Sequence, residues 1–169
     1  GKKKAQKSKG PGQSSSKDTN KRLGSPPANA AFLKVTAKST QTSAGNHTWQ
    51  AVDGNPKTRW CASSELKPAW IQFAFEKPVT LSGAEIEWEQ RSQWMQYSIE
   101  TSADGKSWNK AFDASKNTTG GTRRDKFSAL NVSFLKLTIL AQHNKLWPSL
   151  WELRLFGVDG KKLPLFPRV

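Results

Sequence analysis

The sequence predicts an all-β domain of the sandwich class, preceded by a basic segment that has no core of its own. Three observations favour this class. Apolar residues either alternate with polar ones or run together in short segments, as they do in β-strands. Gly, Asn, Ser and Thr separate these segments, whereas helical spacing is scarce. Eight Trp and eight Phe among 169 residues supply enough apolar volume for one domain core.

The composition of the chain changes near residue 31. Residues 1–30 contain eight Lys or Arg, one Asp, no aromatic residue and no β-branched apolar residue. Such a stretch cannot bury enough surface to offset the cost of ordering, and its Gly, Ser and Pro content is typical of a linker. We therefore interpret residues 1–30 as a disordered basic linker within a larger protein. A nucleic-acid-binding arm is the alternative, although no aromatic residue stands among the lysines.

The net charge of +14 extends beyond this leader. Residues 31–169 hold nineteen Lys or Arg and twelve Asp or Glu, which leaves +7 on the predicted folded part. Such a surface attracts polyanions, namely acidic polysaccharide, nucleic acid or anionic lipid. No apolar run approaches the ~20 residues that cross a bilayer, so we expect no transmembrane segment. The single cysteine, Cys61, excludes an internal disulfide and is interpreted as a small buried apolar residue.

The first three predicted strands lie before residue 90. Residues 31–36 begin with an apolar run, and residues 70–75 are apolar enough for a largely buried strand. Ala84, Ile86 and Trp88 then alternate with three glutamates, which predicts a strand with one face in solvent.

The later strands follow at similar spacing. Residues 97–101 form the next predicted strand, which ends at a tight Asp104-Gly105 turn. The remaining segments cover residues 125–132, 133–140 and 150–157. A series of about eight short strands with turn signals between them is typical of a β-sandwich.

Residues 51–60 read AVDGNPKTRW and resemble the A-x-D-G-x-x-x-T-x-W signature of discoidin domains. That family includes the C domains of coagulation factors V and VIII and the family 32 carbohydrate-binding modules. Residues 70–83 resemble the family's W-x-x-x-D-L-G strand, with Ala74 where Asp is usual. Residues 97–108 and 149–157 resemble its Y-x-I-x-x-S-x-D-G-x-x-W hairpin and its closing strand.

This resemblance implies an antiparallel jelly-roll β-sandwich over residues 31–157. The segment after it, residues 158–169, is then a C-terminal tail that covers the domain or frays from it.

The Asp-Gly turn of the signature is a candidate metal site. Asp53, Asn55 and Thr58 offer oxygen atoms of the kind that hard cations bind, and Gly54 allows the turn to close. The resemblance implies a structural Ca²⁺ at this turn, with Glu152 of the last strand as a further ligand. The alternative is that Asp53 and Asn55 only cap the turn through side-chain to backbone hydrogen bonds.

The resemblance also implies a sugar-binding site in the loops at one end of the sandwich. Sugars are recognised by aromatic faces together with polar groups that reach the hydroxyls. Trp147 stands where relatives often place a stacking aromatic ring. The candidate ligand-binding residues are Trp147, Arg91, Trp94, His47, Trp49, Asn144 and Lys145. The alternative to ligand contact is a position in the core for each Trp. For Arg91 the alternative is an ion pair with Glu87 or Glu89.

The expected sugar is acidic or sulfated. Galactose-binding relatives commonly place a His directly after the signature Trp, and this chain has Cys61 there. Arg91 and Lys145 add positive charge, and a guanidinium group binds a carboxylate or sulfate through two parallel hydrogen bonds.

Catalysis is not expected. His47 and His143 are the candidate bases near neutral pH, and neither lies in a recognisable nucleophile setting. The sequence therefore predicts a non-catalytic, monomeric carbohydrate-binding module of a secreted, extracellular or periplasmic protein. Its parent is expected to be a polysaccharide-acting enzyme, that is, a glycosidase, lyase or sulfatase. The alternatives are a module that binds anionic membranes and a protein-binding adhesion domain; no specific nucleic-acid partner is expected.

Overall fold

A computed structural model describes residues 23–143 and 145–169, and eight β-strands form most of their regular structure. The first 22 residues of the predicted linker lie outside this part. Two short 3₁₀ helices, Thr42–Ala44 and Thr48–Val52, precede the second strand. The strands are β1 (Ala31–Ala37), β2 (Trp60–Cys61), β3 (Ala69–Trp88), β4 (Met95–Ser102), β5 (Asn109–Asp113), β6 (Arg124–Gln142), β7 (Ser149–Phe156) and β8 (Leu165–Arg168). No helix in the described residues is long and apolar enough to cross a membrane.

Strands β3 and β6 are long, and each belongs to both layers of the sandwich. The first half of β3 pairs with β1 and with the second half of β6. The second half of β3 pairs with β7 and with the first half of β6. Register shifts between Ala74 and Gly83 interrupt β3, and Asn131 in β6 has a φ of 53°. Such irregularities bend a strand, so one continuous strand can pass from one layer to the other.

The all-β, antiparallel sandwich predicted from the sequence is confirmed, but the number of chain reversals differs. Residues 70–75 and 84–88 were predicted as separate strands and lie in β3, while residues 125–140 form one strand, β6. The residues between the predicted segments form bulges. These bulges interrupt the alternation of buried and exposed residues, but the chain does not reverse its direction there. The predicted tail contains β8, which pairs in parallel with β1.

The core lies between the two layers and follows the alternation of the strands. In the first half of β3, Ile71 and Phe73 are fully buried, as are Leu135 and Leu137 in the facing part of β6. Trp60, at the end of the signature motif, is also fully buried. Side chains of this size each contribute about 1.5–3 kcal/mol when buried. The core therefore holds the signature turn directly against β7, where the candidate metal ligand Glu152 lies.

A buried polar contact ties the loop between β5 and β6 to the core. The Tyr97 hydroxyl donates a hydrogen bond of 2.5 Å to Oδ2 of Asp125, and Nε of Arg123 donates one of 3.1 Å to Oδ1. Asp125 is almost fully buried, so these two donors offset the cost of removing its carboxylate from water. Arg123 also donates to Oδ1 of Asn117, which extends the contact into the loop.

Candidate functional site

The turn after the second 3₁₀ helix brings three of the predicted metal ligands together. Oδ1 of Asp53 accepts a hydrogen bond from the backbone amide of Asn55 at 3.0 Å. Oδ2 of Asp53 accepts one from the Thr58 hydroxyl at 2.6 Å. Gly54 closes the turn with a φ of +73°, a conformation that L residues rarely adopt. These contacts are the ones that the turn-capping alternative also predicts.

Glu152 of β7 completes the predicted set, and turn capping does not account for it. Its side chain is 5% exposed, and Oε1 has no hydrogen-bond partner in the described part of the chain. Burial raises the pKa of Glu152 to about 10, and the hydrogen bond and charge of the neighbouring Asp53 carboxyl act in the same direction. Arg154 opposes this rise. Two carboxyl groups therefore share a space that favours either a proton or a cation between them.

The residues at this turn fit a hard cation. Two carboxyl groups, the Thr58 hydroxyl and nearby backbone carbonyls supply oxygen atoms alone, as Ca²⁺ requires. Oδ1 of Asn55 also accepts a hydrogen bond from the Lys57 backbone amide at 3.0 Å, so a cation would share this oxygen with the turn. The described residues contain no group of three or more His, Cys, Asp and Glu side chains suited to a metal. A cation at this turn would therefore take its charged ligands from Asp53 and Glu152 and its remaining ligands from neutral oxygens.

A cleft of about 320 Å³ lies at the start of β7, beside the exposed ring of Trp147. Trp147 is 42% exposed, which leaves much of its ring accessible to a ligand. We call this space the Trp147 cleft. The side chains that line it belong to Gln41, Arg59, Cys61, Glu89, Gln90, Lys145, Leu146 and Trp147. Two predicted ligand-binding residues, Lys145 and Trp147, are thus brought together.

Arg59 and Glu89 are the charged residues of this cleft that sequence reasoning missed. Their side chains form an ion pair, and the Arg59 guanidinium lies over the ring of Trp151 at 5.7 Å from its centroid. The sequence contained a signal for Arg59. It stands two residues before Cys61, and side chains two residues apart in a strand lie on the same face. Burial raises the pKa of the Cys61 thiol, so this side chain is neutral at the cleft wall.

A second cavity, of about 340 Å³, shares Lys145 with the Trp147 cleft. Lys145 lines both cavities, and Lys67, Gln142 and His143 also line the second one. The amino group of Lys67, in the second cavity, donates a hydrogen bond of 3.4 Å to the carbonyl of Leu146, which lines the Trp147 cleft. Trp94 meets the ring of His143 edge-on at 6.1 Å. Trp94 therefore lies beside this end of the sandwich without lining the Trp147 cleft.

Three other predicted ligand-binding residues have partners outside the cleft. Nη2 of Arg91 donates to Glu87 at 2.5 Å, the ion pair weighed as its alternative. His47 and Trp49 stack on one another with ring centroids 6.0 Å apart. Neither ring lines the Trp147 cleft. Asn144 lies outside the described residues.

The two bent strands, the closing strand β7 and the turn packed against it define a discoidin-type β-sandwich. Comparison with protein families identifies this class. The F5/8 type C domain family matches residues 34–153, and the chain belongs to that family. A comparison with curated proteins gives no match.

Solved structures with the same fold include several carbohydrate-binding modules. A pectin-binding module is 23% identical, with a TM-score of 0.63 over 82% of this chain and 98% of that chain. Chitosan-binding module 2 of a chitosanase/glucanase from Paenibacillus sp. IK-5, solved with chitotriose, is 28% identical, with a TM-score of 0.65 over 76% and 97%. The family 32 module of AlyQ, solved with 4,5-unsaturated mannuronic acid, is 23% identical, with a TM-score of 0.61 over 72% and 92%.

Proposed function

We propose that this domain is a non-catalytic module that binds an acidic glycan in the Trp147 cleft. The observation that carries the proposal is the exposed Trp147 ring beside a cleft that also contains Arg59 and Lys145. An aromatic ring packs against the apolar face of a pyranose, and the two cations attract a carboxylate or sulfate on the same sugar. Gln41 and Gln90 add amide groups that can bond to sugar hydroxyls.

The charge of the domain favours an acidic sugar among those bound by similar modules. Pectin and 4,5-unsaturated mannuronic acid carry carboxylates, whereas chitosan carries amines. Residues 31–169 carry a formal charge of +7 and would repel a polycation. An acidic or sulfated polysaccharide is therefore the ligand that the charge and the cleft support together.

The chemistry of the cleft supports a binding role rather than a catalytic one. Glu89 is the acidic residue among those that line the cleft, and it is paired with Arg59. The Cys61 thiol has a raised pKa because it is buried, which disfavours the nucleophilic thiolate. Hydrolysis of a glycosidic bond by the common mechanism needs two carboxyl groups that face each other across the substrate.

The proposal extends to the parent protein and to the metal. A module of this kind would hold a secreted glycosidase, lyase or sulfatase on its polymer and so raise the local enzyme concentration. One similar module derives from a chitosanase/glucanase, which supports this role. Ca²⁺ bound by Asp53, Asn55, Thr58 and Glu152 would stabilise the turn that leads into Arg59 and β2. Its role would be structural, because these ligands lie outside the Trp147 cleft.

A glycan array and titration calorimetry with the full chain test the proposal. We expect binding to polygalacturonate or sulfated glycans, and a loss of tenfold or more in Trp147→Ala, in the range of a lost stacking contact of roughly 1–3 kcal/mol. Trp49→Ala is the matched control, since its ring stacks on His47 outside the cleft.

Vesicles that contain phosphatidylserine form the second arm of the experiment. Leu146 and Trp147 are adjacent and both exposed, and together with the positive charge of the domain they favour the membrane alternative. Vesicle binding without any glycan signal, or glycan binding that Trp147→Ala leaves unchanged, would contradict the proposed function.

A further inference from the structure

The outer face of one layer carries an aromatic and basic cluster that lies outside the Trp147 cleft. Trp70 of β3 and Lys136 of β6 point away from the core, because they alternate with the buried residues Ile71, Leu135 and Leu137. Trp108, which follows the Asp104-Gly105 turn, and Phe134 of β6 are also only partly buried. We call Trp70, Trp108, Phe134 and Lys136 the sheet-face cluster.

The rings of this cluster surround the amino group of Lys136. Its Nζ lies 4.1 Å from the centroid of the Trp108 ring and 5.9 Å from that of Trp70. These distances are those of cation–π contacts. The Trp108 ring meets Phe134 edge-on at 6.4 Å. The position of the cation is therefore fixed by two indole rings from different parts of the chain.

The hairpin turn holds Trp108 in place. Oδ1 of Asp104 accepts hydrogen bonds from the backbone amides of Lys106 and Ser107 at 2.8 and 2.9 Å. Gly105 adopts a φ of +76°, and a Cβ at this position would come within 3.1 Å of the Phe134 ring. The turn thus packs directly on the cluster, so the Trp108 side chain loses little conformational entropy when a ligand binds.

The hydrogen-bond donors of Lys136 have no protein acceptor within the described residues. An ammonium group has three N–H donors, yet Nζ of Lys136 forms no hydrogen bond and no ion pair in this part of the chain. Glu100 stands opposite Lys136 in the register of β4 and β6 but forms no ion pair with it. A cation that is held by rings and forms no ion pair with a neighbouring side chain is suited to bind an anionic group from outside the protein.

We propose that the sheet-face cluster is a second contact site for an acidic polysaccharide. A carboxylate or sulfate of the polymer would bond to Lys136, and sugar rings would pack on Trp70 and Trp108. Gln72 is the cross-strand neighbour of Lys136, and Thr138 is that of Trp70, so polar groups for sugar hydroxyls lie on the same face. Exposed Lys34 adds further positive charge to this face.

The sheet-face cluster and the Trp147 cleft lie along one path. Strand β6 runs from Lys136 to Ala141 and Gln142, which line the cavity that shares Lys145 with the Trp147 cleft. Five residues of strand span roughly 17 Å. A polymer chain longer than three sugars can therefore contact both places, which favours recognition along a chain over recognition of its end alone. The class of ligand in this inference rests on the proposed glycan binding, but the residues of the sheet-face cluster are different from those of the Trp147 cleft.

The test compares a polymer with a short oligosaccharide, using the full chain. Lys136→Gln should weaken binding to polygalacturonate about tenfold at low salt, because the bivalent contact is lost. Its affinity for trigalacturonate, which reaches only the Trp147 cleft, should change less than about twofold. Lys126→Gln is the matched control, since Lys126 is an exposed lysine of β6 in the other layer. Lys136→Arg keeps the positive charge and should therefore retain most of the polymer affinity of the native protein.

Each outcome separates this inference from the proposed function. Equal polymer affinity in Lys136→Gln and Lys126→Gln would overturn the inference, whatever Trp147→Ala does. A loss in Lys136→Gln together with no loss in Trp147→Ala would support the second site and overturn the proposed one. If Lys136→Gln loses binding to phosphatidylserine vesicles but not to polygalacturonate, the second glycan site is overturned and the cluster is a membrane-binding surface.

Discussion

The carboxyl groups of Asp53 and Glu152 meet between the signature turn and strand β7. Glu152 is buried, its Oε1 has no hydrogen-bond partner in the described chain, and its pKa is raised to about 10 mainly by burial. Two adjacent carboxyl groups cannot both be ionised there without a large electrostatic cost. A proton or a bound cation removes that cost, and the two possibilities lead to different measurements.

We expect Ca²⁺ to stabilise the domain. At a concentration of one hundred times its Kd, the ion would add about 2.7 kcal/mol to the free energy of unfolding. That corresponds to a rise of several degrees in Tm in differential scanning calorimetry, compared with protein in chelator. Glu152→Gln should remove most of this response. Glu85→Gln, a partly exposed glutamate of β3, should keep it, and equal Tm values with calcium and with chelator would refute the metal site.

In chelator, the stability of the domain should fall as the pH rises. The folded-state pKa of Glu152, about 10, exceeds the ordinary value of 4.5, so the folded protein binds a proton that the unfolded chain has released. The stabilisation is complete below about pH 4.5 and is lost as the pH approaches 10, with a slope of at most about 1.4 kcal/mol per pH unit. Urea unfolding from pH 5 to 9 measures this slope. The slope should be smaller in Glu152→Gln, and an identical slope in that variant would contradict the assignment.

The Arg59–Glu89 ion pair should moderate the affinity of the Trp147 cleft for acidic glycans. Glu89→Gln removes a negative charge from the cleft wall and frees the Arg59 guanidinium, so affinity should rise about two- to fivefold. Arg59→Gln should lower it. Calorimetric titrations at low and high salt check both changes, because screening reduces electrostatic effects between exposed groups. An increase in affinity in Arg59→Gln would show that this residue does not face the ligand.

Tyr97→Phe should destabilise the fold without altering glycan binding. The substitution removes the hydrogen bond of 2.5 Å to the buried Asp125 carboxylate and leaves that oxygen without its donor. Such a loss costs about 1–3 kcal/mol. Urea denaturation should show a lower midpoint with an unchanged m-value, while the glycan Kd stays within about twofold of the native value. An unchanged midpoint would mean that Arg123 alone satisfies Asp125.

The strand pattern allowed most of the fold to be predicted, because a sheet with one buried face imposes alternation that the sequence displays. The limits of the prediction lie at β3 and β6. Alternation breaks near Gly83 and Asn131, and a break in periodicity looks the same whether the chain reverses or only bulges. Strand β2 has two residues and β8 has four, which is too short for any period to be visible.

The candidate sites were predictable to different degrees. Asp53, Asn55 and Thr58 lie within six residues, so local spacing and the family resemblance were enough to place them in one turn. The Trp147 cleft depends on side chains from four distant segments. Arg59 enters it through the pairing of β2 with β7, whereas Arg91, in the turn after β3, pairs with Glu87 of that strand. The i, i+4 spacing of Glu87 and Arg91 allowed their ion pair to be weighed from the sequence, whereas the neighbours of Arg59 in the cleft depend on strand pairing.

The sequence by itself determined the all-β class, the signature turn and the excess of positive charge, because these depend on local spacing and composition. Only the tertiary structure decided which side chains meet. It placed Lys136 between Trp70 and Trp108, and it brought Glu152, which the family resemblance alone had linked to the turn, against Asp53 across about a hundred residues. Contacts of this kind follow from strand register and the bends of β3 and β6, which arise from the packing of the whole core.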